Sequence, residues 1–314
     1  MNKKLLAIAV AGALAAPLSA QALDVTTYGV VGWKLVDADN ASWEMKNTKA
    51  RVGWRASEDT SAGKFIAEIE IDLDSAANGG NTGNGEGDGN VNVRRSRVIL
   101  ATKGAGTFVM AGRTPSGQYA DMYSMVDIFE HGGYHYFAQT DHTGKLIAWK
   151  SPVTGGFYVV PALIANDPAS ATDDIDVTGL RFVWNGGPWH AGFGLVEANN
   201  SPASDSTRES LGVSWTSGPL MVGFTWEDGF GSGAVDGDTV MGLAAAYTAG
   251  NNTFKLGLYN RDSDITPAND GDSATTLELA HAFSKNVTGF VTFDSVEVGG
   301  VDADSTAIGI NMSF

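Results

Sequence analysis

The chain has 314 residues, with 36 acidic against 20 basic side chains, a formal charge of −16 and no cysteine. These counts exclude a disulfide scaffold, a thiolate metal centre and a cysteine nucleophile. So acidic a chain has no basic stripe to neutralise phosphates, and no nucleic-acid partner is expected.

Met1-Asn2-Lys3-Lys4, the apolar run Leu5 to Leu18 and Ala20-Gln21-Ala22 form a basic start, a short apolar core and an A-x-A end. That is a secretory signal over residues 1–22, with cleavage expected after Ala22 and a mature domain of residues 23–314. A membrane-spanning helix needs about twenty apolar residues, and this run is shorter and interrupted by Pro17. Loss of Lys3 and Lys4 takes the formal charge from −16 to −18.

Beyond Ala22 the chain alternates apolar and polar residues. Strands are expected near 24–36, 47–58, 63–74, 91–103, 107–113, 144–151, 155–165 and 176–185, then 187–198, 207–216, 219–228, 238–248, 252–262, 274–284, 287–298 and 304–314. In the third, Phe65, Ala67, Ile69, Ile71 and Leu73 share one face, while Lys64, Glu68, Glu70 and Asp72 share the other. Successive strand residues point to opposite faces, so this is one apolar and one polar surface. A soluble sandwich turns the apolar face inward and a membrane barrel turns it outward; alternation alone fits both.

The connections are alternately short and long. Gly104-Ala105-Gly106, Gly186-Gly187-Pro188, Ser217-Gly218-Pro219, Gly250-Asn251-Asn252 and Lys285-Asn286 are turn chemistry. The long connections span 37–46, 75–90, 114–143, 166–175, 199–206, 229–237, 263–273 and 299–303. Both termini then fall at the short-turn end, and the strand number is even. No later segment approaches a spanning helix, so in a membrane this exported chain is a barrel. The expectation is an all-β, sixteen-stranded antiparallel transmembrane β-barrel.

Residues 78–90 (NGGNTGNGEGDGN) are the one low-complexity run. They read as a surface loop, with divalent-ion or lipid-headgroup binding as the alternative; the calcium-binding nonapeptide does not recur. Trp33, Trp54, Trp149, Trp184, Trp189, Trp215, Trp226, Phe290 and Phe293 lie toward strand ends and faces. An interfacial girdle requires such rings, and β-propensity also enriches them.

The longest connection, 114–143, carries Asp121, Asp127 and Glu130 among Tyr119, Tyr123, Tyr134, Tyr136 and Phe137. Loops of that length in a compact fold are usually functional. His131 and His135 are four apart beside Glu130, without the H-E-x-x-H arrangement, and no nucleophile and base stand in a recognisable motif. No metal, cofactor or catalytic residue is expected. Parity puts Lys49, Arg51 and Arg55 on one face, Arg95 and Arg97 together, and Lys34 with Val30 and Gly32, while Arg113 ends the fifth strand and Lys145 begins the sixth.

Four segments, in order, resemble the general porin family of Gram-negative outer membranes. Thr27-Tyr28-Gly29-Val30-Val31-Gly32 resembles its first strand, LYGxxxxG. Residues Lys49 to Asp59, followed by Gly63-Lys64-Phe65, resemble SRxGxKGxEDLGxGL, with Thr60-Ser61 replacing part of the motif. Arg97 to Lys103 with Gly106 to Arg113 resembles RxxxVGLxGxFGTVxxGR, with one extra residue before Gly112-Arg113. Ile308 to Phe314 resembles the family's terminal strand ending on Phe.

The resemblance implies a water-filled outer-membrane channel for passive diffusion of small hydrophilic solutes and ions. It implies that residues 114–143 fold into the pore as the third loop and narrow it. Arg51, Arg97, Arg113, Lys34 and Lys145 would form the basic side of that constriction, facing Asp121, Asp127 and Glu130. It also implies a homotrimer in contact with outer-membrane lipid and lipopolysaccharide, whose final strand, with Ile308, Ile310, Met312 and Phe314 on one face, is read by the outer-membrane assembly machinery. Net acidity favours a weak cation preference, which the basic cluster opposes. The rival functions are a substrate-specific channel for phosphate, oligosaccharide or another nutrient, supported by the loop aromatics, an outer-membrane barrel enzyme, and a structural or adhesive barrel.

Overall fold

The computed structural model describes residues 23–39, 41–73, 91–165, 175–198, 207–230 and 237–314. The expected signal segment 1–22 and the run 78–90 lie outside the described residues.

In chain order the strands are β1 (Asp24–Ala38), β2 (Glu44–Asp59), β3 (Gly63–Asp72), β4 (Asn92–Thr102), β5 (Thr107–Pro115), β6 (His142–Lys150) and β7 (Phe157–Ile164). They continue with β8 (Val177–Gly186), β9 (Trp189–Ala198), β10 (Thr207–Ser217), β11 (Leu220–Asp228) and β12 (Thr239–Ala249). The last are β13 (Asn252–Asp262), β14 (Asp272–Ala282), β15 (Val287–Val298), β16 (Val301–Asp302) and β17 (Ser305–Ser313). The two-residue β16 pairs only with the end of β15, so sixteen strands wall the molecule. Neighbours are antiparallel, and β1 pairs with both β2 and β17, closing the sheet into a barrel. Closure removes the unpaired edges that an open sheet would present.

Burial follows the alternation with inside and outside reversed from a soluble domain. On β14, Asp272, Thr276 and Glu278 are 2, 0 and 4% exposed, while Leu277 and Leu279 are 48 and 42% exposed. On β3, Glu68, Glu70 and Asp72 are buried and Phe65 and Ile69 exposed. Polar residues therefore line the lumen and apolar ones face out, as a lipid solvent requires.

Two short turns explain the tight ends. In Gly187-Pro188 and Gly218-Pro219 the glycine takes φ of 55° and 54°, and proline then supplies its fixed negative φ. That sequence of signs matches the twist of a two-residue hairpin. Beside these turns, and beside the turn at residues 104–106, the rings pair as Phe157–Trp184, Trp189–Trp215 and Phe108–Trp149, with centroids 6.0, 6.4 and 6.4 Å apart. They form the girdle at the short-turn border. Phe290 does not belong to it: it is 3% exposed and packs with Val36, Ala280 and Ala307.

Candidate functional site

The connection between β5 and β6 narrows to a neck where the Ser116 amide donates to the Asp141 carbonyl at 2.8 Å. Beyond it the chain makes one π-helical turn, Tyr119–Tyr123, and runs along the inner wall. Lumen-facing side chains take its backbone carbonyls: Thr225 Oγ1 donates to Met122 O at 2.5 Å, Tyr259 OH to Val126 O at 2.6 Å and Lys255 Nζ to Ile128 O at 2.5 Å. Glu278 and Glu227 accept the amides of Glu130 and Ala138 at 2.7 and 2.8 Å. Met125 and Val126 pack with Ala244, Tyr259, Ala274 and Val296. Tyr119, Tyr123, Tyr134 and Phe137 pack edge-on or stacked on one another, with centroids 5.3 to 6.1 Å apart.

Across the lumen, β2, β3 and β4 carry a ladder of opposite charges. Glu68 accepts from Tyr28 OH at 2.8 Å, from Arg95 at 2.7 Å and from Arg97 at 2.9 and 2.6 Å. Arg97 also donates to Thr114 Oγ1 at 3.1 Å. Arg94 lies 3.0 Å from Glu70 and 3.0 Å from Asp141, and Arg51 lies 3.4 Å from Asp72. The β3 carboxylates were visible in the sequence as a polar face, but their cross-strand partners depend on register. Arg94 breaks parity: Glu70 pairs with Arg95 and Ile71 with Val93, so Arg94 sits in a bulge and reaches the Glu70 carboxylate that Arg95 also meets.

Among the residues expected at the site, Lys34, Arg51, Arg97, Asp127 and Glu130 face the lumen. Glu130 meets Lys49 at 2.7 Å and Asn311 at 2.8 Å. Asp127 accepts from the Tyr119 hydroxyl. Lys34 Nζ lies 3.0 Å from His131 Nδ1, and His131 Nε2 lies 2.9 Å from Ser305 Oγ. An ammonium can only donate, so Nδ1 accepts and Nε2–H donates to the serine. Asp121 is turned from the charge ladder to the opposite wall, where Arg181 pairs with it and Tyr158 OH donates at 3.1 Å.

Arg113 and Lys145 are displaced from the expected group by the extra residue near Gly112. Ser96 pairs with Arg113 while Arg97 pairs with Ala111, leaving Gly112 unpaired. Thr114 meets lumenal Arg97, and Arg113 shares the outward face of Ser96 and Ile69. On β6, Lys145 is likewise skipped by the register and is exposed with Ile147, beside an outer hollow that Met110 and Val98 also line. Sequence inspection also missed lumenal Arg208, Lys255 and Arg261, which lie against Glu227, Glu278 and Asp272. Their signal was parity on the distal strands.

Ionisation in the loop follows these contacts. Burial raises the Glu130 carboxyl, but the Lys49 ammonium and its hydrogen bond bring it below the ordinary value, so it is ionised. Burial raises Asp127, against the Tyr119 hydrogen bond. His131 is pushed down to about 4 by burial and by the Lys34 ammonium, so it is neutral at neutral pH.

A closed barrel with an apolar outside, a charged inside and one loop lodged against its inner wall defines a channel of the outer membrane. The family model described as Gram-negative porin matches residues 6–300, and the chain belongs to that family. The anion-selective porin from Comamonas acidovorans is similar at 18% identity and TM-score 0.74, covering 93% of this chain and 100% of that one. Vibrio cholerae OmpT lacking loop L8 gives 14% identity and 0.73, covering 94% and 100%. Salmonella typhi OmpF in complex with daunomycin gives 11% identity and 0.72, covering 92% and 97%. Among curated proteins no match was found. The chain is an outer-membrane porin, a channel for passive diffusion.

Proposed function

We propose that this porin is a general diffusion channel whose narrowest point lies between the loop of residues 116–141 and the charge ladder of β2–β4. The observation that carries the reading is the attachment of the loop to the lumenal wall from β8 round to β2, which sets Glu130 against Lys49 and within electrostatic reach of Lys34, and Asp127 within reach of Lys49. Rows of fixed charge on either side of an opening make a transverse field. Polar solutes orient in it, and apolar ones must strip ordered water, so small hydrophilic solutes pass best. Arg113 and Lys145, outside the lumen, and Asp121, engaged by Arg181, are left out of this eyelet.

The loop aromatics argue against a dedicated solute track, because Tyr123 is 0% exposed and its neighbours pack on one another. Catalysis is not part of the reading either. His131 has a serine on one nitrogen, but Lys34 holds the other, where a triad needs a carboxylate. Export by residues 1–22 with cleavage after Ala22 belongs to the proposal. So does a homotrimer, supported by the similar Vibrio cholerae OmpT described in a trimer form. Contact with lipid and lipopolysaccharide, and recognition of the last strand by the assembly machinery, follow from its outward row of Ile308, Ile310, Met312 and Phe314, each about half exposed or more.

Single-channel recording with solute competition tests the reading. Current that scales with salt and is not blocked by sugars, phosphate or amino acids is the expected result. Saturable, solute-blockable current would replace it with a substrate-specific channel.

A further inference from the structure

The loop could lie against the far wall only because that wall lacks side chains where it passes. On β9 to β13, inward positions are occupied by Gly192, Gly194, Gly212, Gly223, Gly242 and Gly257. They run side by side across the register, Gly212 opposite Gly192, Gly223 opposite Ala244, and Ala244 opposite Gly257. None has the left-handed backbone that would itself demand glycine. Glycine within a strand weakens it unless another backbone approaches closely, and here one does.

The neighbours fall into two kinds. A methyl at Gly212 would collide with the carbonyl, Cα and C of Met122, and one at Gly223 with the carbonyl and Cβ of Met125. These atoms belong to the loop backbone or its root, and they cannot swing aside. A methyl at Gly194 would meet the side-chain ends of Gln118 and Met122, and one at Gly257 the ring of Phe129 and the Tyr259 hydroxyl. Those groups can rotate. Gly192 is of the first kind as well, a methyl there meeting the Asp121 carbonyl oxygen at 2.7 Å. Around the contacts at Gly212 and Gly223 the loop is held by the Thr225, Tyr123 and Tyr259 hydrogen bonds, at 2.5 to 2.6 Å.

We infer that Gly212 and Gly223 are positioning residues for permeation: they form the seat that sets how far the loop stands from the wall, and so the size limit of the channel. A side chain there drives the loop toward Arg51 and Arg97 while its flanking bonds hold, and the opening narrows. The inference rests on the reading that this loop bounds the narrowest point.

The test is single-channel conductance and the permeation of a graded sugar series through Gly212→Ala, Gly223→Ala, Gly194→Ala and Gly104→Ala, the last having no atom within 4 Å of an added methyl. Circular dichroism and protease resistance verify the barrel in each variant, and alanine is the smallest possible step should larger residues fail to fold. Gly212→Ala and Gly223→Ala should lower ion conductance by about half and disaccharide entry by more, because bore sets permeation. Gly194→Ala should change little and Gly104→Ala nothing. Unchanged or raised conductance in folded Gly212→Ala and Gly223→Ala, or equal effects at Gly194, would overturn the seat. An Arg51→Ser/Arg97→Ser variant separates the two readings: if it alters ion selectivity while the glycine variants are silent, the constriction stands without the seat, and if all are silent the constriction falls too.

Discussion

At Glu68 a tyrosine and two arginines converge on one carboxylate that is 6% exposed. A buried carboxylate stripped of a partner is strongly destabilised, whereas a lumenal cation can be removed with water filling its place. Arg51→Ser with Arg97→Ser should therefore leave the barrel folded, held at Glu68 by Arg95 and Tyr28, and should shift reversal potentials in a salt gradient toward cations. No shift would take both residues out of the eyelet. His131 gives the pH dependence. Its folded value near 4 lies below the ordinary 6.5, so between them the unfolded chain binds more protons. Stability is full above about pH 6.5 and is lost as pH falls toward 4. Thermal melts of His131→Gln across that window should lose this part of the acid sensitivity; an unchanged slope would assign it elsewhere. Parity read Arg51 and Arg97 from sequence; the resemblance put Arg113 and Lys145 with them, and it was the unpaired residue near each that turned them away, as another brought Arg94 inward, because one unpaired residue reverses every side chain beyond it.

At the scale of the loop, the sequence made the length and aromatic content of 116–141 plain, but left its path open. That path is written in the register of β8 to β17, where glycines leave room and Thr225, Tyr259, Lys255 and Glu278 offer partners to the loop backbone. No local pattern in the loop reports on strands a hundred residues away. Thr225→Val and Tyr259→Phe each remove one donor to a loop carbonyl. Each should loosen the loop by about 1 kcal/mol, seen as roughly fivefold faster amide exchange over residues 119–130 and more open-channel noise. Exchange unaltered in both would mean that these two hydrogen bonds do not hold the loop, and that the packing of Met125 and Val126 and the bonds of Lys255 and Glu278 do.

Over the whole molecule, the formal charge of −16 exceeds anything local at the eyelet, where Lys34, Lys49 and the ladder arginines stand close to an almost matching set of carboxylates. The potential at the mouths should then decide ion preference, giving weak cation selectivity that fades as salt rises and the Debye length shrinks. A clear anion preference at low salt would reverse this. The architecture itself was legible, because it rests on two signals that survive boundary errors: alternation within strands and alternation of connection length. Sixteen walls were countable, while the two-residue β16 was too short to leave a pattern.

Closure carries one more consequence. Gly29 and Phe314 exchange both backbone hydrogen bonds at 3.0 Å, so the first and last strands must run antiparallel. Strands can be gained or lost only as whole hairpins, and the circumference of this wall is therefore quantised. Evolution has no way to widen such a cylinder by a fraction of an ångström. Fine adjustment has to be delegated to something inside that can move continuously, and a single chain segment resting on bare glycines is such a dial.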